Sequence, residues 1–338
     1  MRFIRISFLL VASLILASCS RAGYIQLSGY AQGGVYSIKC NAGAHRPADM
    51  QKEADRLLYS IDTTLSGYNR SSVLSRLNRG ESVVLPEMFA KVYERSYEYW
   101  QLSEGAFDVS CGPVFDAWGF GFKNDSLPSG ERIDTLMKAC GMHRLIGTGK
   151  MYGLVGKKVC SRDFLLDAYK DGPAPVLNFN AIAQGFSCDL VARWLHGLGI
   201  HDMLVDIGEI YCEGFNPAGK GWTIGIDNPE DGNQTPGASL RDTWQGDGSP
   251  CGVVTSGNYR KFYISNGRKY AHTIDPRTGE PVQHNLLSAT VIAPDAAEAD
   301  ALATFFMVIG ADAAAQWVEG HDGISACLIT SDSVLWVE

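Results

Sequence analysis

Positive charge is scarce in this chain: 29 Lys and Arg stand against 37 Asp and Glu, a formal net charge of −8. A nucleic-acid partner would call for a basic patch or stripe, and a polybasic membrane contact for a Lys/Arg cluster. The balance argues against both. The apolar run at residues 8–16 falls short of the roughly 20 residues that a spanning helix needs. Nine cysteines are present but no Cys-x-x-Cys pair, and their spacings fit neither a zinc site nor a disulfide framework. Gly-x-Gly-x-x-Gly, a Walker loop and His-Glu-x-x-His are all missing. Without Gly-x-Ser-x-Gly around it, Ser256 in Thr255-Ser256-Gly257 is no hydrolase nucleophile elbow. Ligand contacts through the Ser and Thr backbone are the better expectation there. No internal repeat or low-complexity tract is visible.

What is present begins with an export signal. Arg2 and Arg5 precede the apolar run, which ends in Leu16-Ala17-Ser18-Cys19. Small residues followed by Cys resemble a bacterial lipobox, so residues 1–18 are expected to be a signal peptide. Cys19 would carry the lipid and residues 19–23 would form a short linker. The chain is then anchored by lipid in the cell envelope, facing the periplasm. Loss of Arg2 and Arg5 makes it more acidic still. The remaining length suits one large domain or two intimately joined ones, and 46% hydrophobic with 20% charged residues is an ordinary globular composition. Several of the other cysteines sit in apolar contexts, such as Ala326-Cys327-Leu328, which predicts buried thiols. One or two disulfides stay open.

Periodicity predicts strands over 24–39 and an amphipathic helix over 48–66, where Met50, Ala54, Leu57, Leu58, Ile61 and Leu65 recur at three- and four-residue intervals. Further helices are expected after Pro86, over 131–139, 181–198 and 296–318. Strands are expected within 151–167, at 203–207, 222–226, 324–330 and 333–337, with a hairpin around Asn266-Gly267. Residues 229–250, rich in Pro, Gly, Asp and Asn, read as a surface loop. Helices and strands mix without strict βαβ alternation, which favours an α+β fold of mixed sheets with packed helices.

Four segments carry chemistry. His272-Thr273-Ile274-Asp275-Pro276-Arg277-Thr278-Gly279 gathers a His, an Asp and an Arg around a proline-stiffened turn. An imidazole there is a natural proton acceptor from a hydroxyl; a His hydrogen-bonded inside a strand pair is the plainer alternative. In the last helix Asp300 and Thr304 share one face, and their oxygens suit Mg²⁺. An Asp at a helix start and a Thr bonded to its own backbone would look the same. Gly105-Ala106-Phe107-Asp108, followed by Trp118-Gly119-Phe120-Gly121, offers close backbone approach and aromatic surface for a flat ring, or merely a cover for the core. Asn178-Phe179-Asn180-Ala181-Ile182-Ala183-Gln184-Gly185 leads into a helix whose start can hold an anion or a base edge, or is a simple Asn cap.

Taken in order, these segments resemble the FAD:protein FMN transferases, the ApbE family. The likeness runs from Gly29-Tyr30-Ala31-Gln32-Gly33 through Leu65-Ser66-Gly67-Tyr68, the Gly105 and Asn180 segments, Leu204-Val205-Asp206-Ile207-Gly208-Glu209 and Thr255-Ser256-Gly257 to the His272 and Asp300 segments. Each piece is modest and the ordered set is specific. The resemblance implies one domain over 24–338, with FAD in a cleft between two joined halves. It implies Mg²⁺-dependent transfer of FMN from FAD to a Thr or Ser hydroxyl of flavin-accepting subunits of membrane electron-transfer complexes, with release of AMP. By position, Asp300, Thr304 and the Ala181 carbonyl match metal ligands. Gln32, Tyr68, Ala106, Phe107, Asp108, Asn178, Gln184 and Ile274 match flavin-nucleotide contacts, and His272 matches a residue of the transfer step.

The chain also departs from the family pattern. Asn178 stands where Asp is common, Gln184 where Lys or Glu is common, and Ala303 where some members have a second Asp. One Gly is missing before Glu209, and a one-residue deletion in a strand turns every later side chain to the other face unless a bulge absorbs it. Two other functions use the same residues: an Mg²⁺-dependent FAD pyrophosphatase with water as acceptor, and a flavin-binding lipoprotein without turnover.

Overall fold

The computed structural model describes residues 23–119, 127–230, 233, 235, 237–259, 262–265 and 268–338. The expected export signal, Cys19, Phe120-Gly121 and the expected Asn266-Gly267 turn lie outside the described residues. The helices are α1 (Pro47–Leu65), α2 (Val73–Asn78), α3 (Glu87–Leu102), α4 (Gly112–Ala117), α5 (Gly130–Met137), α6 (Ala183–Gly197), α7 (Ala296–Ile309) and α8 (Ala311–Glu319). The first strands are β1 (Tyr24–Ala31), β2 (Gly34–Asn41), β3 (Val83–Val84), β4 (Lys158–Val159), β5 (Met203–Asp206), β6 (Ile210–Glu213), β7 (Thr223–Asp227) and β8 (Leu240–Gln245). They are followed by β9 (Cys251–Gly257), β10 (Phe262–Ser265), β11 (Arg268–Ala271), β12 (Ile274–Asp275), β13 (Glu280–Pro281), β14 (Leu286–Ala293), β15 (Ser325–Thr330) and β16 (Val334–Val337).

Eight strands form one sheet in the order β1-β2-β5-β6-β9-β14-β15-β16, antiparallel at every pairing. The fold is α+β, as the mixture of periods predicts. Two cores flank it. The larger joins α1, α3 and α6 to β2 and β5 through side chains such as Ile38, Leu58, Phe89, Phe186 and Val205. The smaller joins α7 and α8 to β14 and β15 through Val291, Leu302, Phe306 and Leu328. Ile224 of β7 and the preceding Trp222 pack against Cys212, Val253 and Ile292 of the main sheet.

The cores meet where α6 crosses the start of α7. Gly185 permits the crossing: a Cβ there would lie 2.1 Å from the Ala296 carbonyl oxygen and 2.9 Å from Ala297 Cα. Asp189, one turn along α6, accepts from the Ala296 and Ala297 N–H groups at 2.8 and 3.0 Å. Asp295 accepts from Glu298 N–H at 2.9 Å as the α7 cap and is held by Arg95 at 2.9 Å. The orphan donors of α7 are thus satisfied from its own cap and from the neighbouring helix.

The structure corrects three expectations. The helix over 296–318 is two helices, because Gly310 takes φ 85° and ends α7. Residues 151–167 are mostly short 3₁₀ turns, Tyr152–Leu154, Ser161–Phe164 and Asp167–Tyr169, and only Lys158–Val159 pairs as a strand. There Met151, Phe164 and Leu165 are buried from turns, which a period-two reading mistakes for alternation. The loop read over 229–250 contains β8, a mostly exposed strand defined by its ladder to β7 and not by apolar alternation. All eight described cysteines are free thiols, and seven are buried. No helix among the described residues is long and apolar enough to cross a membrane.

Candidate active site

A cleft of about 1270 Å³ opens where the two cores adjoin. Every cleft residue expected from the sequence lines it: Gln32, Tyr68, Ala106, Phe107, Asp108, Asn178, Ala181, Gln184, His272, Ile274, Asp300 and Thr304. They come from six separate stretches of chain, so the fold, not local sequence, assembles them.

Gln32 and Gly33 form the two-residue turn between β1 and β2, with φ 52° and 84°. Two positive φ values match the twist of a tight hairpin. A Gln in this left-handed region is uncommon, and its side chain is tied across the cleft, donating to Ser187 Oγ at 2.6 Å. Gln184 donates to the Ile207 carbonyl at 3.2 Å. Asn178 accepts from Asn180 N–H at 2.9 Å, and the Asn180 amide reaches Tyr68 Oη at 3.2 Å.

At the start of α6 the helical ladder is interrupted. A continuing helix would send the Gly185 N–H to the Ala181 carbonyl; it donates instead to Asp300 Oδ2 at 3.0 Å. That leaves the Ala181 carbonyl out of this bond and brings Asp300 of α7 against the start of α6. Asp300 is buried, and desolvation pushes its pKa up to about 7, against the Gly185 bond that lowers it. Asp189 is likewise pushed up to about 7 by desolvation. Thr304 lies one turn along α7 from Asp300, half-buried.

Two expected contributions come out differently. Phe107 and Trp118 are no stacking platform: Phe107 is buried edge-on to Tyr99, and Trp118 is buried with its indole N–H donating to the Gly279 carbonyl at 2.8 Å. They cover the core, and Ala106, Phe107 and Asp108 border the cleft. The Asp108 carboxylate is already engaged, accepting from Ser110 N–H (2.7 Å), Ser110 Oγ (2.6 Å) and Met142 N–H (3.1 Å). Burial nonetheless raises its pKa. In the His272 segment, Asp275 accepts from the Arg277 backbone N–H, from its Nε and from its Nη2, each at 2.9 Å. Arg277 is exposed and turned to Asp275, so the segment meets the cleft through His272, Thr273, Ile274 and Pro276.

The missing Gly before Glu209 does no damage to the sheet. Asp206 pairs with Ile210, so residues 207–209 are the turn between β5 and β6. A deletion in a turn leaves strand facing intact, and Glu209 lines the cleft. Gly208, with φ 90°, lets the turn approach Gln184, whose Nε2 would sit 2.5 Å from a Cβ. Sequence reading passed over Gly185 and Asp189. The signal was there: Asp189 falls on the apolar stripe of Ile182, Phe186 and Leu190, where a carboxylate needs buried partners.

The cleft is acidic. Asp55, Asp62, Asp108, Glu209 and Asp300 line it, and among the described residues no Lys or Arg does. A pyrophosphate entering it needs a positive counter-charge.

Comparison with known proteins agrees with the geometry. The ApbE family model matches residues 32–328. The FAD:protein FMN transferase of Haemophilus influenzae is 32% identical over 95% of this chain and 91% of its own length. That of Escherichia coli K12 is 31% identical over 86% of this chain and 79% of its own. Among solved structures, the flavin transferase ApbE of Vibrio cholerae superposes with a TM-score of 0.74 at 29% identity, covering 93% of this chain and 96% of that one. The apo flavinyl transferase ApbE of Pseudomonas stutzeri gives 0.77 at 29% identity, covering 93% and 95%.

Proposed function

The chain belongs to the ApbE family, and on that footing we propose that it transfers FMN from FAD to a Thr or Ser hydroxyl of a protein acceptor, releasing AMP. The observation that carries the reading is a single cleft lined by His272, Ala181, Asp300 and Thr304 together. His272 accepts the hydroxyl proton as the acceptor oxygen bonds to the FMN phosphorus. The bond from that phosphorus to the bridging oxygen breaks, and AMP leaves with that oxygen. Gln32, Asn178 and Gln184 hold the nucleotide by their amides, and Ala106, Phe107 and Asp108 border it.

The donor set fits Mg²⁺. Asp300, Thr304 and the Ala181 carbonyl are hard oxygen ligands, and a cation beside the buried Asp300 carboxyl would hold it ionised. Bound there, Mg²⁺ supplies the positive charge that the acidic cleft lacks among its described side chains. The acceptors we propose are flavin-carrying subunits of membrane electron-transfer complexes. Export with a lipid on Cys19 would keep the enzyme in the cell envelope beside them, and Cys19→Ser should release it from membranes or block its processing. The function is tested by AMP release from FAD. Release should require both Mg²⁺ and acceptor protein; release that ignores the acceptor means hydrolysis instead.

A further inference from the structure

We infer that the chain carries a second, transition-metal site, remote in chemistry from the cleft, formed by His196, His201 and Glu213 and suited to Zn²⁺. His196 ends α6. Gly199, at φ 76°, turns the chain back so that His201 stacks beside it, ring centroids 5.1 Å apart and 26° from parallel. Both imidazoles aim one nitrogen at the same carboxylate: His196 Nε2 is 2.5 Å from Glu213 Oε2, and His201 Nδ1 is 3.0 Å from Oε1. The three ligand atoms all lie within 4.8 Å of one another. Two ligand atoms about 2 Å from one tetrahedral ion sit roughly 3.3 Å apart. Glu213 Oε1 is already near that spacing from His201 Nδ1, and Oε2 must back away from His196 Nε2 by about 0.8 Å to admit an ion.

The supports are built in. Tyr211 Oη donates to Glu213 Oε2 at 3.1 Å, and the Trp222 indole N–H donates to the Glu213 carbonyl at 2.9 Å. Such outer contacts fix a ligand's orientation. Exposure is graded: the side chain of Glu213 is 11% exposed, His196 34% and His201 66%. The protein thus closes one side and leaves the other to water as a fourth ligand. Two imidazoles and one carboxylate favour Zn²⁺ over Mg²⁺, which prefers oxygen alone. An ion here would pin the C-terminal end of α6 to β6. The same helix carries Gln184 and Gly185 at its other end, so the site would brace the element on which the cleft is built. This inference rests on the cluster alone and stands apart from the flavin reaction.

The test uses the full chain, stripped with chelator and then supplied with excess Mg²⁺ to fill hard-cation sites. Zn²⁺ is titrated in competition with a chromophoric chelator. One Zn²⁺ per chain should bind that Mg²⁺ does not displace. His201→Ala and Glu213→Gln should each weaken it by at least about 100-fold, since even an outer partner is worth 10–100-fold. Co²⁺ in its place should give the visible absorption of a four-coordinate site, absent in both variants. Melting without metal checks that the variants fold, and His201, being exposed, is the safer of the two. No tight Zn²⁺ in the wild type, or equal binding in folded His201→Ala, overturns the site; the contacts are then hydrogen bonds fastening α6 to β6.

Discussion

Gly185→Ala should damage both the stability and the chemistry of this protein, although alanine is the better helix former. Replacing Gly in a helix gains about 1 kcal/mol in propensity. Here the new Cβ would stand 2.1 Å from the Ala296 carbonyl oxygen. Ordinary contact begins near 3.4 Å, so α6 and α7 must separate by about 1.3 Å, the difference of those distances. The obstacle is backbone on a helix anchored by Asp189, Asp295 and Arg95, so it yields poorly. Overpacking of this kind costs about 1–3 kcal/mol, and unyielding backbone puts this site at the upper end, which leaves a net loss of roughly 2 kcal/mol after the propensity gain. The same displacement stretches the Gly185–Asp300 hydrogen bond and parts Ala181 from Asp300. A shift near 1 Å at a positioned group costs on the order of 10²-fold in rate. Urea denaturation and the rate of AMP release from FAD measure the two effects. A variant as stable as wild type with full activity would refute the claim that this crossing sets the site.

His272→Asn should lower turnover by about 10²–10⁴, the usual worth of a general base, while FAD affinity measured by fluorescence holds; loss of affinity in step with activity would make His272 a binding residue. As the proposed Mg²⁺ ligand, Asp300 would link metal to pH. Its folded pKa, near 7, lies above the ordinary carboxylate value of 3.8, so its contribution to stability is full below about pH 4 and is lost as pH rises toward 7. Mg²⁺ held as proposed would bind the ionised form, so its stabilising increment in melting temperature should be larger at about pH 8 than at about pH 5. Asp300→Asn should remove that pH dependence; an increment that is flat with pH, or survives in the variant, contradicts the ligand assignment.

Legibility in the sequence tracked how local each signal was. The α1 stripe from Met50 to Leu65 and the Pro86 start of α3 were readable because periodicity and breakers act within a few residues. The strands over 24–39 were readable for the same reason, whereas the place of the turn between them, Gln32-Gly33, came from the pairing register. The break of the last helix at Gly310 was not weighed, because apolar residues continue on both sides of it. Strand β8 was invisible, since a ladder to β7 and one packed Trp244 define it. In the cleft, the residues themselves were legible as an ordered set. Their detailed use was not: the burial of Phe107, the closed Asp275–Arg277 pair and the diversion of the Gly185 N–H to Asp300 depend on partners far along the chain. The fate of the missing Gly turned on pairing register, which places residues 207–209 in a turn and spares the strands.

The central claim is that this cleft moves FMN onto a protein. Intact-mass spectrometry of a candidate acceptor subunit, after incubation with this chain, FAD and Mg²⁺, tests it most directly. The account predicts an acceptor heavier by one FMN on a Thr or Ser, one AMP released per adduct, and neither product with Asp300→Ala. Free FMN and AMP in equal amounts beside an unmodified acceptor would contradict it, as would FAD left intact.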